Sequence, residues 1–291
     1  GYDIVETSSN PSKPSNQSVF YWNDNSTPTT KSINVTSDEM TYDKTTKEYT
    51  CSSNPTKYTF KDKPVYYCLK VKKVDKINGV ALSGAEFTAK LGSSEYKATT
   101  GSDGIATFVV GTNSGTYTVT ETKAPEGYAL PSTVSKQINA SKMPQSTEYN
   151  QRLDTSKCTA TAIQYEDNKY VLNWYKGTED GTIASGAKFK VRYTDSSNST
   201  HYVIAESTKV NHTDSSNVTK KCYVYKGLTT DKTKATEFVS DTNGETCISG
   251  IIDNGKKMYS VEETESAKYH TFGKDKVKQI SIGTSFAAKD L

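Results

Sequence analysis

The sequence predicts an all-β protein, and three observations carry that prediction. The 291 residues include only eight leucines against twenty tyrosines, amid abundant Ser, Thr, Asn and Lys, so the residues that favour helices are scarce. Apolar and polar residues alternate in short runs bounded by Gly, Asn and Asp, the period of half-buried strands. Finally, several of these runs recur in the same order, as expected for two copies of one β domain.

Taken along the chain, the elements are as follows. GYDIVET (1–7) has the alternation of a strand; SSNPSKPSNQ (8–17) reads as a loop, and TYDKTTKEYTC and KYTFKDKPVYYC as strands. LKVKKVDKINGVALSGAEF (69–87) is answered by LNWYKGTEDGTIASGAKF (172–189), each a strand, a lysine, a glycine-containing turn and Ser-Gly-Ala-x-Phe. SDGIATF (102–108) matches TNGETCI (242–248), each a turn entering a strand, and YTVTET (117–122) matches YSVEET (259–264). Lys73 precedes Gly104 by 31 positions and Lys176 precedes Gly244 by 68, so the second copy carries 37 extra residues near 192–237. The predicted organisation is an N-terminal β region (1–65), one domain at 66–157 and a second, with the insertion, at 158–291. An insertion on a rigid scaffold is a place for a binding surface, and deleting 195–235 is expected to leave the scaffold folded.

Composition excludes several function classes. Arg152 and Arg192 are the only arginines, which argues against nucleic-acid recognition, since bidentate reading of phosphates and bases leans on that side chain. The five cysteines and three histidines have no metal-ligand spacing, and no Ser/His or Cys/His constellation is apparent, so neither a metal, a cofactor nor turnover of an external substrate is expected. With no long apolar run and no leader, the chain reads as an extracellular portion of a surface protein, without membrane insertion. LPSTV (130–134), seven Asn-x-Ser/Thr sequons and DTNGE (241–245) are read as strand entry, composition and a turn.

Alternation then exposes an unusual set of charges. Leu69, Val71 and Lys73 share one strand face, as do Leu172, Trp174 and Lys176; Tyr117, Val119 and Glu121 share another, as do Tyr259, Val261 and Glu263. Each copy therefore aims one lysine and one glutamate into an apolar core, where an unpaired charge is costly. One explanation is a buried salt bridge. The other is chemistry: burial favours the neutral amine, which attacks a side-chain carbonyl, while a buried glutamic acid polarises it and relays protons, leaving a Lys–Asn or Lys–Asp isopeptide bond.

The stretches LKVKKVDKINGVALSGAEF and YTVTETKAPEGYAL, with the E-box ETKAPEGY, resemble the CnaB-type domains of Gram-positive surface proteins and sortase-assembled pilins. The resemblance implies tandem Ig-like or prealbumin-like β-sandwiches in which a first-strand lysine joins an Asn or Asp of the last strand, with the E-box glutamate as catalyst. Lys73 and Lys176 match the lysine, and Glu121 and Glu263 the glutamate; in the second copy the Ala-Pro-x-Gly-Tyr tail is replaced by ESAKYHTF. In the family the acceptor follows the glutamate by roughly thirty residues, which points to Asn150 and Asp290, with Asn139 and Asp154 as alternatives. A partial third copy would pair Glu6 with Asn34.

The resemblance further implies a pilin subunit or adhesin stalk at the cell surface, cell wall or pilus. Its partners would be other pilin or adhesin subunits or a host extracellular ligand, and its chemistry a single self-crosslinking turnover rather than enzyme activity. The alternative is a host-ligand adhesin that binds through the inserted region. Cys51 with Cys68 and Cys222 with Cys247 are the candidate disulfides, leaving Cys158 free or intermolecular.

Overall fold

The computed structural model describes residues 65–144 and 154–286, Thr45, and the short strands at 2–5, 30–33, 40–43 and 48–51. Numbered along the chain, the strands are β1 (Tyr2–Val5), β2 (Thr30–Ile33), β3 (Met40–Asp43), β4 (Glu48–Cys51), β5 (Tyr67–Asp75), β6 (Glu86–Leu91), β7 (Ser94–Thr99) and β8 (Ile105–Val109). Then come β9 (Thr116–Lys123), β10 (Tyr128–Ala129), β11 (Ser135–Asn139), β12 (Ser141–Lys142), β13 (Ile163–Lys169), β14 (Val171–Tyr175) and β15 (Lys188–Thr194). The remainder are β16 (Thr200–Ala205), β17 (Val210–Thr213), β18 (Thr219–Thr229), β19 (Phe238–Val239), β20 (Glu245–Ser249), β21 (Met258–Glu265) and β22 (Val277–Ser281). The described residues hold no α-helix, only single 3-10 turns at Thr155–Lys157 and Lys232–Lys234, so the all-β prediction stands.

The chain divides into two compact units, one made of residues 1–69, 109–116 and 139–161, the other of 70–108, 117–138 and 162–291. In the first unit β1 pairs antiparallel with β2, and β3 with β4. Also in this unit, β12 pairs with the start of β5, Ser141 opposite Cys68, and the chain returns through the 3-10 turn to place Cys158 against Cys68. These two cysteines form a disulfide, packed with Met143. This corrects the expected Cys51–Cys68 pairing and the expectation of a spare Cys158: residues 90 apart in sequence are neighbours because β12 carries the chain back along β5.

The second unit begins with two facing sheets. One runs β10-β13-β5, with β8 also on β5; the other runs β11-β9-β6-β7. Their inner faces meet where the rings of Phe87 (β6) and Tyr165 (β13) stand edge to face, 4.9 Å apart, among buried Val71, Ala89, Phe108, Tyr117 and Val119. Strand β13 lies parallel to β5, with Tyr165 opposite Lys73 and Asp167 opposite Asp75. The first sandwich therefore extends through Lys169, past the boundary expected at 157/158. Tyr170 alone separates β13 from β14.

From β14 the same unit continues as a nine-stranded sheet, β14-β20-β18-β16-β15-β21-β22 with β17 also on β18 and β19 also on β15, around a core of Trp174, Phe189, Phe238, Ile248, Tyr259 and Val261. The insertion is built into this sheet, since β18 and β16 stand between β20 and β15, Val203 and Cys222 are fully buried, and Cys222 is bonded to Cys247. Deleting 195–235 would therefore remove the middle of the sheet, contrary to the expectation of a dispensable appendage.

Candidate functional site

The site starts from the alternation of β5, which turns Leu69, Val71, Lys73 and Asp75 inward while Lys72 faces solvent. Two backbone bonds pin the lysine's main chain: Lys73 N–H donates to the Gly104 carbonyl at 2.7 Å, and Leu82 N–H donates to the Lys73 carbonyl. Gly104 has φ +74°, and a Cβ there would lie 2.6 Å from the Lys73 carbonyl oxygen. Gly244 repeats the arrangement under Lys176, with φ +70° and the same 2.6 Å approach, which explains why both copies keep glycine in that turn. Gly104→Ala is expected to cost about 1–2 kcal/mol from the left-handed backbone alone, and more as Lys73 is displaced, read as a lowered midpoint in urea unfolding.

Glu121 arrives from the opposing sheet on β9, inward with Tyr117 and Val119. The Lys73 Nζ donates to Glu121 Oε2 at 2.6 Å and also contacts Asp167 Oδ1 on β13. All three side chains are fully excluded from solvent. Burial pushes the Glu121 carboxyl up to about 7 against the opposing pull of Lys73, and the neighbouring Asp167 charge adds to the rise. Burial likewise raises Asp167, while Lys73 pulls it down. The arrangement is one amine between two carboxyls that resist simultaneous ionisation, walled by Phe87 and by Tyr165, whose hydroxyl is tied to the Val119 carbonyl at 2.7 Å.

The sequence reading brings Lys73 and Glu121 together but misses Asp167. Asn150 lies outside the described residues. The alternatives are engaged elsewhere: Asn139 accepts from the Thr116 hydroxyl on an exposed surface, and Asp154 caps the 3-10 turn by accepting from Ser156 N–H. The overlooked signal is the inward alternation Tyr165-x-Asp167-x-Lys169, 46 positions after Glu121 rather than about thirty, because residues 139–161 belong to the other compact unit.

In the second copy Lys176 Nζ meets Glu263 Oε2 at 3.0 Å, with the side chains 14% and 7% exposed. Among the described residues no carboxyl or carboxamide completes this pair as Asp167 completes the first; Asp290, Glu6 and Asn34 lie outside them. A cleft of about 860 Å³ opens beside it, lined by Lys176, Glu263, Tyr269, Phe272 and Lys276. Asp241, in the DTNGE segment, spends its carboxylate on the N–H groups of Asn243 and Glu245 as a turn. No helix is long and apolar enough to cross a membrane among the described residues.

Residues 68–152 match the family model of the SpaA prealbumin-like fold domain, which bears out the CnaB-type resemblance for the first copy. No curated protein matches the chain. Among solved structures, the shaft pilin SpaA from Lactobacillus rhamnosus GG is similar at 17% identity over 77% of this chain and 96% of that one, with a TM-score of 0.36. GBS52, the minor pilin of Streptococcus agalactiae, is similar at 15% identity over 77% and 93%, with a TM-score of 0.28. The Bacillus anthracis TIE protein is similar at 15% identity over 79% of this chain with a TM-score of 0.38, and this chain covers 34% of that one.

Proposed function

From a prealbumin-like domain at 68–152, we propose that the protein is a structural subunit of the cell surface, of the pilin or adhesin-stalk kind, whose first sandwich locks itself by an amide between Lys73 and Asp167. The observation that carries this reading is the Lys73 ammonium held between Glu121 and Asp167 in a site without solvent. Passing one proton from the ammonium to a carboxylate gives a neutral amine facing two carboxylic acids. The amine attacks Asp167 Cγ, Glu121 hydrogen-bonds the developing oxyanion and transfers protons, and the Cγ–O bond breaks to release water. One C–N bond forms, one C–O bond breaks, and nothing is oxidised or reduced.

Intact mass of the protein with its disulfides reduced tests this directly. One Lys–Asp bond removes about 18 Da as water, a covalent change of the kind that alters every later stability argument. A deficit of one water, abolished in Lys73→Ala and Asp167→Ala, is the expected result, and the full sequence mass rejects it. A deficit of two waters would require a second acceptor such as Asp290 for Lys176.

A further inference from the structure

We propose that Asp75, Lys169 and Tyr128 are positioning residues that set the register in which Asp167 meets Lys73, an inference that rests on the crosslinking reading above. Lys169 Nζ pairs with Asp75 Oδ2 at 3.3 Å, and the Tyr128 hydroxyl donates to the same oxygen at 3.0 Å. The other carboxylate oxygen accepts from the N–H groups of Ile77 and Asn78. Although burial works against ionisation of Asp75, these donors and the Lys169 charge outweigh it and hold its carboxyl below the usual range. Tyr128, the last residue of the E-box, also lies opposite Lys169 in the β10–β13 pairing, so one residue of β10 pairs with β13 along the backbone while its hydroxyl holds Asp75 on β5.

The geometry repeats that of the reacting pair. Lys73 reaches Asp167, which stands opposite Asp75; Asp75 in turn reaches Lys169, two places further along β13. Strand β5 therefore presents Lys-x-Asp to Asp-x-Lys on β13, both pairs slanting the same way. A slip of β13 by two residues in one direction sets Lys73 against Lys169, and in the other sets Asp75 against Asp167. A slip of one residue turns the whole set to the opposite face. Only the observed register satisfies both pairs, so the second pair penalises every alternative at the reacting amine. The second copy supplies an internal contrast: Thr178 stands where Asp75 does, and His270, exposed, where Tyr128 does. There the latch is missing, and the lysine–glutamate pair is without a third group among the described residues.

The test refolds an uncrosslinked chain from urea and follows the loss of about 18 Da with time. Lys169→Ala and Tyr128→Phe are expected to slow the loss by about ten- to a hundredfold, since a misplaced acceptor forfeits proximity without removing a reacting group. The exchange Asp75→Lys with Lys169→Asp restores an ion pair but erases the discrimination between registers. Peptide mapping of the exchange variant should then show a second crosslink, between Lys73 and the carboxylate introduced at position 169, an outcome that a purely structural contribution to packing does not produce. Wild-type rates in both single variants, or an exchange variant joined only between Lys73 and Asp167, would overturn the latch. A wild-type chain that keeps its full mass would instead overturn the crosslinking reading beneath it.

Discussion

Glu121→Ala is expected to give a folded protein with no mass deficit, in which Lys73 and Asp167 remain in contact but unjoined. Without the bridging carboxyl the oxyanion has no hydrogen-bond partner and the proton has no path between amine and leaving oxygen, so the loss in rate is that of an absent general acid and base, about 10²–10⁴-fold. The stability effect follows from loop closure. With the Cys68–Cys158 disulfide reduced, a bond between residues 73 and 167 closes nearly a hundred residues, and by analogy with disulfides its removal restores about 4–5 kcal/mol of entropy to the unfolded chain. For a domain of this size that corresponds to a fall in Tm on the order of 20–30 °C. Differential scanning calorimetry of wild type and variant, both with their disulfides reduced, measures it, and an unchanged Tm would mean that no bond is present to lose.

Bond formation is expected to slow as pH rises through about 7, the range to which burial lifts Glu121. The sign comes from counting protons. The ion-paired cluster of one ammonium, one carboxylate and one carboxylic acid holds the same number of protons as the reactive cluster of a neutral amine and two acids, so the two interconvert internally. Raising the pH removes the shared proton and leaves an ammonium between two carboxylates. A neutral amine in that cluster can be matched with only one protonated carboxyl. The rate should therefore decline towards tenfold per pH unit on the alkaline side. Refolding the uncrosslinked chain across pH 6–9 and quenching for mass analysis gives the profile. A rate that climbs with pH would show that deprotonation of Lys73 by solvent controls the reaction and that the carboxyl pair does not.

Much of this was legible from residue order because strand periodicity is strict. Lys73 and Glu121 could be placed on inward faces by counting in twos from apolar neighbours, and the duplicated Gly104 and Gly244 turns marked the two copies. Asp167 escaped because it lies on a strand that pairs parallel to β5 from far along the chain, after a segment that belongs to the other compact unit. No local period reports such a partner. Cys158 was misread for the same reason, since its partner is fixed by the return of β12 along β5 and not by spacing. The insertion reads as an addition to a rigid scaffold, yet Val203 and Tyr223 are buried with the core of the sheet and make it part of that sheet. The complementary Lys-x-Asp and Asp-x-Lys runs are visible in the sequence, but their meaning depends on which strands are neighbours.

The single residue between β13 and β14 has a consequence for a chain under tension. Pulling on the second sandwich through Val171 delivers force by way of Tyr170 and Lys169 to Asp167 within four residues. With the amide formed, the load crosses at once to Lys73 and leaves along the beginning of β5, so residues 74–166 never enter the loaded path. Fully stretched, they would span about 320 Å. In a single-molecule stretching trace recorded with the Cys68–Cys158 disulfide reduced, since that bond alone would hold residues 69–157 out of the path, that length would be missing from the wild type and released in Glu121→Ala, so the first sandwich would behave as an inextensible coupling rather than as a spring.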